Sequence, residues 1–163
     1  MRVVGKTTLL DILSFRRTMG TITRGDVLIN DASTKQPDVV STYKQKLAYV
    51  EQLRGAYFED LTVAENMAYA AMLRLPACFS AEEKMAKAAE ALGILNLTDT
   101  AQTVVGDASS SSGGLSGGQK RKLAVAMELL TEPVVLAMDE PTSMSPASWI
   151  TDQASFSLFV RWA

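Results

Sequence analysis

Histidine is absent from all 163 residues of the chain. That excludes histidine-ligated metal sites, Ser/His/Asp triads and His/Cys nucleophile pairs, each of which needs an imidazole as ligand or base. Cys78 is the one cysteine, so no disulfide can close within the chain. With no signal-peptide pattern after Met1, this suits a reducing, cytosolic setting, and Cys78 itself reads as a small buried or idle thiol. No apolar run nears the roughly 20 residues that cross a bilayer, so the chain is not expected to span a membrane by itself. Charge of one sign is scarce as well: 16 Lys and Arg against 18 Asp and Glu leave a net −2 with no basic tail, which argues against nucleic acid as a partner. Apolar residues are plentiful. At 47% of this length they suffice for one domain with a real core, and not comfortably for two.

Gly113 to Thr142, GGLSGGQKRKLAVAMELLTEPVVLAMDEPT, carries the densest pattern. Ser116 is placed to cap a helix, because its hydroxyl can accept from orphan N–H groups two or three residues on, and Gly117 and Gly118 let an anion approach that helix end. Leu123, Ala124, Met127 and Leu130 then form one apolar face at helical spacing, with Lys120, Arg121 and Glu128 left to water. Pro133 stops the helix. Val134 to Met138 is a short apolar run closed by Asp139 and Glu140. It predicts a strand buried in a parallel sheet, its carboxylates at the C-terminal edge where α/β proteins bind ligands. Alone, SSSSGGLSGG also reads as a flexible linker, and Lys120-Arg121-Lys122 as a solvated face. The capped helix and acid-ended strand that follow weigh against the linker.

Leu115-Ser116-Gly117-Gly118-Gln119 resembles the signature motif of ATP-binding-cassette (ABC) ATPases, and Val134 to Glu140 resembles their Walker B strand with its adjoining catalytic glutamate. Near the start, Gly5-Lys6-Thr7 matches the second half of the phosphate-cradling loop G-x-x-x-x-G-K-[ST]. In that loop Lys6 would reach the β- and γ-phosphates, Thr7 would hold Mg²⁺, and backbone amides from Gly5 to Thr8 would line the phosphates. The triplet also reads as an ordinary helix start, with Leu9, Ile12 and Leu13 supplying the buried face. The loop's leading glycine would lie before residue 1, and Val3 stands where similar loops carry another glycine. A β-branch resists positive φ, so a nest of converging N–H groups is harder to form there.

Val27 to Asn30 predicts a short strand with a turn at Asn30-Asp31, and Thr18 to Asn30 resembles the hairpin region of the ABC G subfamily, the white/brown-type half transporters and pleiotropic-drug-resistance pumps. Leu47 to Glu51 predicts a second strand. Gln52 follows it, where the family's Q-loop glutamine touches Mg²⁺ and attacking water; as a bare residue it would be a surface amide. Capping boxes at Thr62-x-x-Glu65 and Ser80-x-x-Glu83 open helices running to about Leu73 and about Leu92. Leu61-Thr62-Val63 with Glu65-Asn66, Leu73-Arg74-Leu75-Pro76 and Val104-Val105-Gly106-Asp107 again resemble the G subfamily. These helices would either grip the coupling helix of a transmembrane partner or simply pack on each other. Beyond Thr142, Ser143-Met144-Ser145-Pro146 lacks the aspartate of the family's next loop, the family's switch histidine has no counterpart, and the remaining tail has no clean period.

The resemblance covers Gly5 to Ser143 and implies an α/β fold: a P-loop NTPase (ABC ATPase) core sheet with an inserted α-helical subdomain over about residues 60–115, incomplete at both ends, and an off-pattern tail over 144–163. It further implies a head-to-tail dimer. Each ATP would lie between Gly5, Lys6, Thr7 and Thr8 of one copy and Leu115, Ser116, Gly117, Gly118 and Gln119 of the other. Mg²⁺ would be held by Thr7, Gln52 and Asp139, while Glu140, with Gln52, would polarise the attacking water. The implied partners are a second nucleotide-binding domain and a transmembrane transporter domain at the cytoplasmic face of a membrane, with ATP hydrolysis powering export and no nucleic acid involved. The clipped loop, missing histidine and missing aspartate keep a second reading open: a non-hydrolytic remnant or regulatory cassette that pairs with an intact one. They also suggest a fragment or an incorrectly delimited gene. A soluble ABC protein of chromosome or ribosome work is disfavoured, because Gln52 to Ser116 has room for a compact helical subdomain and not for coiled-coil arms.

Overall fold

The computed structural model describes residues 6–16, 24–25, 27–29, 32–50, 57–106 and 113–138, with the backbone alone for Lys6 and Thr7. Helix α1 (Lys6–Leu13) is followed by the antiparallel pair β1 (Leu28–Ile29) and β2 (Ala32–Ser33), helix α2 (Pro37–Gln45) and strand β3 (Leu47–Val50). Two longer helices come next, α3 (Val63–Arg74) and α4 (Ala81–Ile94), then a 3-10 turn at Thr98–Thr100, helix α5 (Gly117–Leu129) and strand β4 (Val135–Met138).

The apolar run before Asp139 forms the expected buried parallel strand. All four residues of β4 are buried, and β4 pairs with β3 in a register that sets Leu47 against Val135 and Val50 against Met138. Val134 stays outside the strand, half-exposed, with its N–H donated to the Lys46 carbonyl at 2.8 Å. A strand apolar on both faces needs cover on both. Helix α5 packs on β3 and also touches α3 and α4, and this double contact corrects the single apolar stripe expected for it. Leu123 and Met127 are buried as expected, Ala124 is only partly so, and Val125, Ala126 and Leu129 are buried as well.

Helix α1 differs from its expected face. Leu10 and Ser14 are buried, while Leu9 is exposed. The rotation follows from contacts outside the apolar pattern: the Tyr49 hydroxyl donates to Asp11 Oδ1 at 3.2 Å, and the Arg16 guanidinium lies over the Tyr49 ring at 4.5 Å from its centroid. Helix α2 has no counterpart in the sequence reading. None of its residues is fully buried, and its short apolar face, Val39, Val40 and Tyr43, is only half-buried; Pro37 in its first turn, Asp38 near its start and Lys44 near its end also favour it. The connection after α3 leaves Cys78 exposed rather than buried.

Helices α3 and α4 start where their capping boxes predict, Thr62 and Ser80 each accepting from the amide of the glutamate three residues on while that carboxylate accepts from the cap residue's own N–H. The carbonyls at the end of α3 receive the buried Lys84 ammonium, which donates to Leu75 O at 3.0 Å and Met72 O at 3.3 Å, a cation at the negative end of the helix dipole. Before α3, the fully buried Asn66 accepts from Phe58 N at 2.7 Å and donates to Phe58 O at 2.9 Å and Thr62 O at 3.0 Å. Its amide thereby fixes the limb that runs into the helix.

Hydrogen bonds from Thr62, the backbone one first, hold the Glu65 carboxyl below the usual glutamate range, and those from Ser80 do the same for Glu83. Stabilisation of this sign is present above the usual range and is lost as pH falls through the lowered values. Amide exchange followed during acid titration should therefore show the starts of α3 and α4 opening. Glu65→Gln or Glu83→Gln should remove that pH dependence from its own helix. Truncation in Asn66→Ala strands the Phe58 N–H and two carbonyls and is expected to cost about 2–3 kcal/mol, read as a lower denaturation midpoint at unchanged slope.

Candidate functional site

A helix start leaves four amides without an intrahelical partner. In α5 they belong to Ser116, Gly117, Gly118 and Gln119. The capping box satisfies the outer two: Gln119 N donates to Ser116 Oγ at 3.3 Å, and Ser116 N to Gln119 Oε1 at 2.9 Å. The two that this box does not satisfy are those of Gly117 and Gly118, both exposed, and a Cβ built on either would meet nothing within 4 Å. Among the described residues nothing asks for glycine at these positions. Their effect is to leave two amides bare at the positive end of a helix, the arrangement that receives an anion. Accepting from Gln119 occupies a lone pair of the Ser116 hydroxyl, so its O–H proton can donate toward the same place.

The turn before this helix start is tightly built. Leu115 is buried at 3% exposure and donates its N–H to the Val105 carbonyl at 3.0 Å. That corrects its place in the expected ligand set: side chain and amide are both engaged within the fold, and Leu115 anchors the turn. Gly114 passes so close to the neighbouring strand that a Cβ would lie 2.5 Å from Val105 O. Val105 N in turn donates to Leu61 O at 2.9 Å, and Gly106 N to Glu59 O at 2.7 Å. Three segments, 59–62, 103–106 and 114–116, are thus knotted by backbone hydrogen bonds immediately behind the exposed amides.

The second part of the expected site is the edge of the parallel sheet. Because Val50 is level with Met138, the chain leaves both strands at one edge. Gln52, Asp139 and Glu140, which follow there, lie outside the described residues, as does Gly5; of Lys6 and Thr7 only the helical backbone is described, and Thr8 is exposed in the first turn of α1. Among the described residues no group of three His, Cys, Asp or Glu could hold a metal ion.

Lys120 was expected in water, and the structure places it elsewhere. Its side chain is 12% exposed, its ammonium donates to the Gly106 carbonyl, and Glu59 Oε1 lies 3.9 Å away. A basic residue in the first turn of a helix opposes the dipole, and that conflict was the sequence signal that it has a partner. Arg74, in the last turn of α3, likewise meets Glu128 at 2.7 Å and donates to Met127 O at 3.0 Å.

A parallel core pair, a large helical insertion between its strands and a serine-capped, glycine-opened helix start define an α/β domain of the P-loop NTPase class. The comparison with protein families agrees: residues 4–143 match the ABC transporter family, and the chain belongs to it. It is 43% identical over 148 residues to the ABC multidrug transporter atrI of Aspergillus fumigatus, covering 89% of this chain and 9% of that protein. It is 42% identical over 139 residues to ABC transporter G family member 24 of Dictyostelium discoideum, covering 85% of this chain and 11% of that protein. The chain therefore spans about a tenth of the length of these relatives. Among solved structures it is similar to a dimeric ATP-binding cassette in a post-hydrolysis state with ADP and Pi, at 25% identity and a TM-score of 0.60, covering 89% of this chain and 60% of that one.

The contrast between the glycines is testable in the chain alone. Gly114→Ala forces the turn away from Val105 O and is expected to destabilise by about 1–3 kcal/mol. Gly117→Ala enters open space and should leave stability unchanged or raise it by up to about 1 kcal/mol. Denaturant melts of the two variants check both.

Proposed function

We propose that the chain is a nucleotide-binding cassette of a G-family exporter, over residues 1–143, which binds MgATP in a head-to-tail pair and hydrolyses it to drive transport through a membrane domain. The observation that carries this reading is the start of α5, where two glycine amides that the capping box does not satisfy lie beside the Ser116 hydroxyl, exposed and with no described atom within 4 Å of where a Cβ on either would stand. In a pair of cassettes that end receives the terminal phosphate of a nucleotide held by Gly5, Lys6, Thr7 and Thr8 of the other copy. The parallel register supports the rest of the arrangement, since β3 and β4, the strands that Gln52, Asp139 and Glu140 follow in sequence, end level with one another at Val50 and Met138.

Water attacks the γ-phosphorus, its proton passes to Glu140, and the bond to the bridging oxygen breaks to release ADP and phosphate. Mg²⁺, held by Thr7, Gln52 and Asp139, would neutralise charge on the β- and γ-oxygens. The Ser116 and glycine donors act on the charge that develops on the departing phosphoryl group, where preorganised N–H groups contribute most. Docking to the membrane domain falls to α3, whose outward stripe Tyr69, Met72 and Leu73 is apolar and exposed, Leu73 at 84%, with Phe58 beside the helix start also exposed. Docked in this way, the chain would lie at the cytoplasmic face of a membrane, bound through its partner.

A second reading, a regulatory cassette that binds nucleotide without hydrolysing it, is favoured by Val3, whose β-branch stands where similar phosphate loops carry a glycine. Turnover separates the two. The wild-type chain, alone or with a full-length cassette partner, should bind MgATP in calorimetry, and Glu140→Gln should keep binding while lowering hydrolysis by about 10²-fold or more. Equal rates for wild type and variant would leave the regulatory reading, and no binding under either condition would remove both.

A further inference from the structure

We propose that Lys120 is a positioning residue for nucleotide turnover, one that sets where the α5 amides point and ties them to the limb following Gln52. This rests on the nucleotide-binding reading above. Three observations lead to it. First, Lys120 sits one turn inside α5, where the helix dipole disfavours a cation, yet its side chain is largely withdrawn from water. Its ammonium is held by the Gly106 carbonyl and lies 3.9 Å from the Glu59 carboxylate. Second, Gly106 is itself bonded to Glu59, its N–H donating to Glu59 O at 2.7 Å, so Glu59, Gly106 and Lys120 close a triangle of one backbone and two side-chain contacts. Third, Glu59 belongs to the limb that Asn66 clamps at Phe58 and Thr62.

The chemistry of the triangle is asymmetric. The Gly106 contact is a part-buried hydrogen bond to a backbone carbonyl and acts as the anchor. The Glu59 contact is long and lies on a carboxylate 55% exposed, so it is the part that changes with small movements of the limb. With Glu59 near, its charge offsets the Lys120 ammonium; with Glu59 withdrawn, the full positive charge stands one turn behind the two bare glycine amides. Movement of the limb after Gln52 is thereby converted into a change in orientation and positive potential at the phosphate-facing end of α5. Lys120 touches no phosphate in this arrangement and works through the helix that carries Ser116.

The test uses the whole chain with Lys120→Met, Lys120→Arg and Glu59→Gln, read by amide exchange at Leu115, Ser116 and Gln119, whose N–H groups are hydrogen-bonded, and by kcat and KM for MgATP. Lys120→Met should speed exchange at those amides by about tenfold, with the remaining helices protected as in wild type. It should lower kcat by about tenfold while KM moves less than about threefold, since the phosphate loop of the other copy holds the nucleotide. Lys120→Arg should restore both, and Glu59→Gln should change kcat with little change in exchange. Unchanged exchange in Lys120→Met, or a loss that Lys120→Arg does not restore, overturns the proposal. If wild type neither binds nor hydrolyses MgATP, the nucleotide reading fails by itself, and the exchange measurement still decides whether Lys120 anchors the helix start.

Discussion

The parallel pairing of Leu47–Val50 with Val135–Met138 is the constraint on which the other features depend. Parallel neighbours cannot be joined by a tight turn and need a long crossover. Here the crossover is the whole helical insertion, from the limb before α3 to the end of α5. Its helices bury Val63, Met67, Ala71, Leu95, Leu97 and Leu123 in one continuous cluster with Ala48, Val50, Leu136 and Met138, so the insertion is folded onto the strands and is no independent appendage. The same pairing brings the ends of two strands far apart in sequence, at Val50 and Met138, to a common edge.

Behind the exposed end of α5, rigidity and exposure are divided between adjacent residues. Leu115 and Gly114 are committed to the fold, one by burial and one by its approach to Val105 O. Gly117 and Gly118 are exposed, and among the described residues nothing crowds them. A site that must close around a ligand from another molecule needs both properties, because donors left bare are useful only if the backbone beneath them does not move. The three knotted segments supply that backbone, and Lys120 and Asn66 tie the knot to the rest of the helical unit.

Much of this was legible before folding. Capping boxes are complete within four residues, so the starts of α3, α4 and α5 could be read at Thr62, Ser80 and Ser116, and the structure has each of them there. The apolar run before Asp139 could be read as a buried parallel strand for the same reason. Other features were not legible, because their causes are remote in sequence. Leu10 rather than Leu9 faces inward since Asp11 and Arg16 both meet Tyr49. Helix α2 escaped notice because its apolar face, Val39, Val40 and Tyr43, is short and only half-buried. Lys120 looked solvated because its partners, Glu59 and Gly106, come from two other segments.

Local hydrogen bonding and the apolar periods thus determined, from the sequence alone, where α3, α4 and α5 begin and that the run before Asp139 is a buried strand. Tertiary structure decided which faces those elements bury, which charges are paired, and that the two core strands end level with one another. The reason is range: a cap or an amphipathic period is set by neighbours within a turn or two, whereas register, rotation and ion pairing depend on contacts that exist only once distant segments have met.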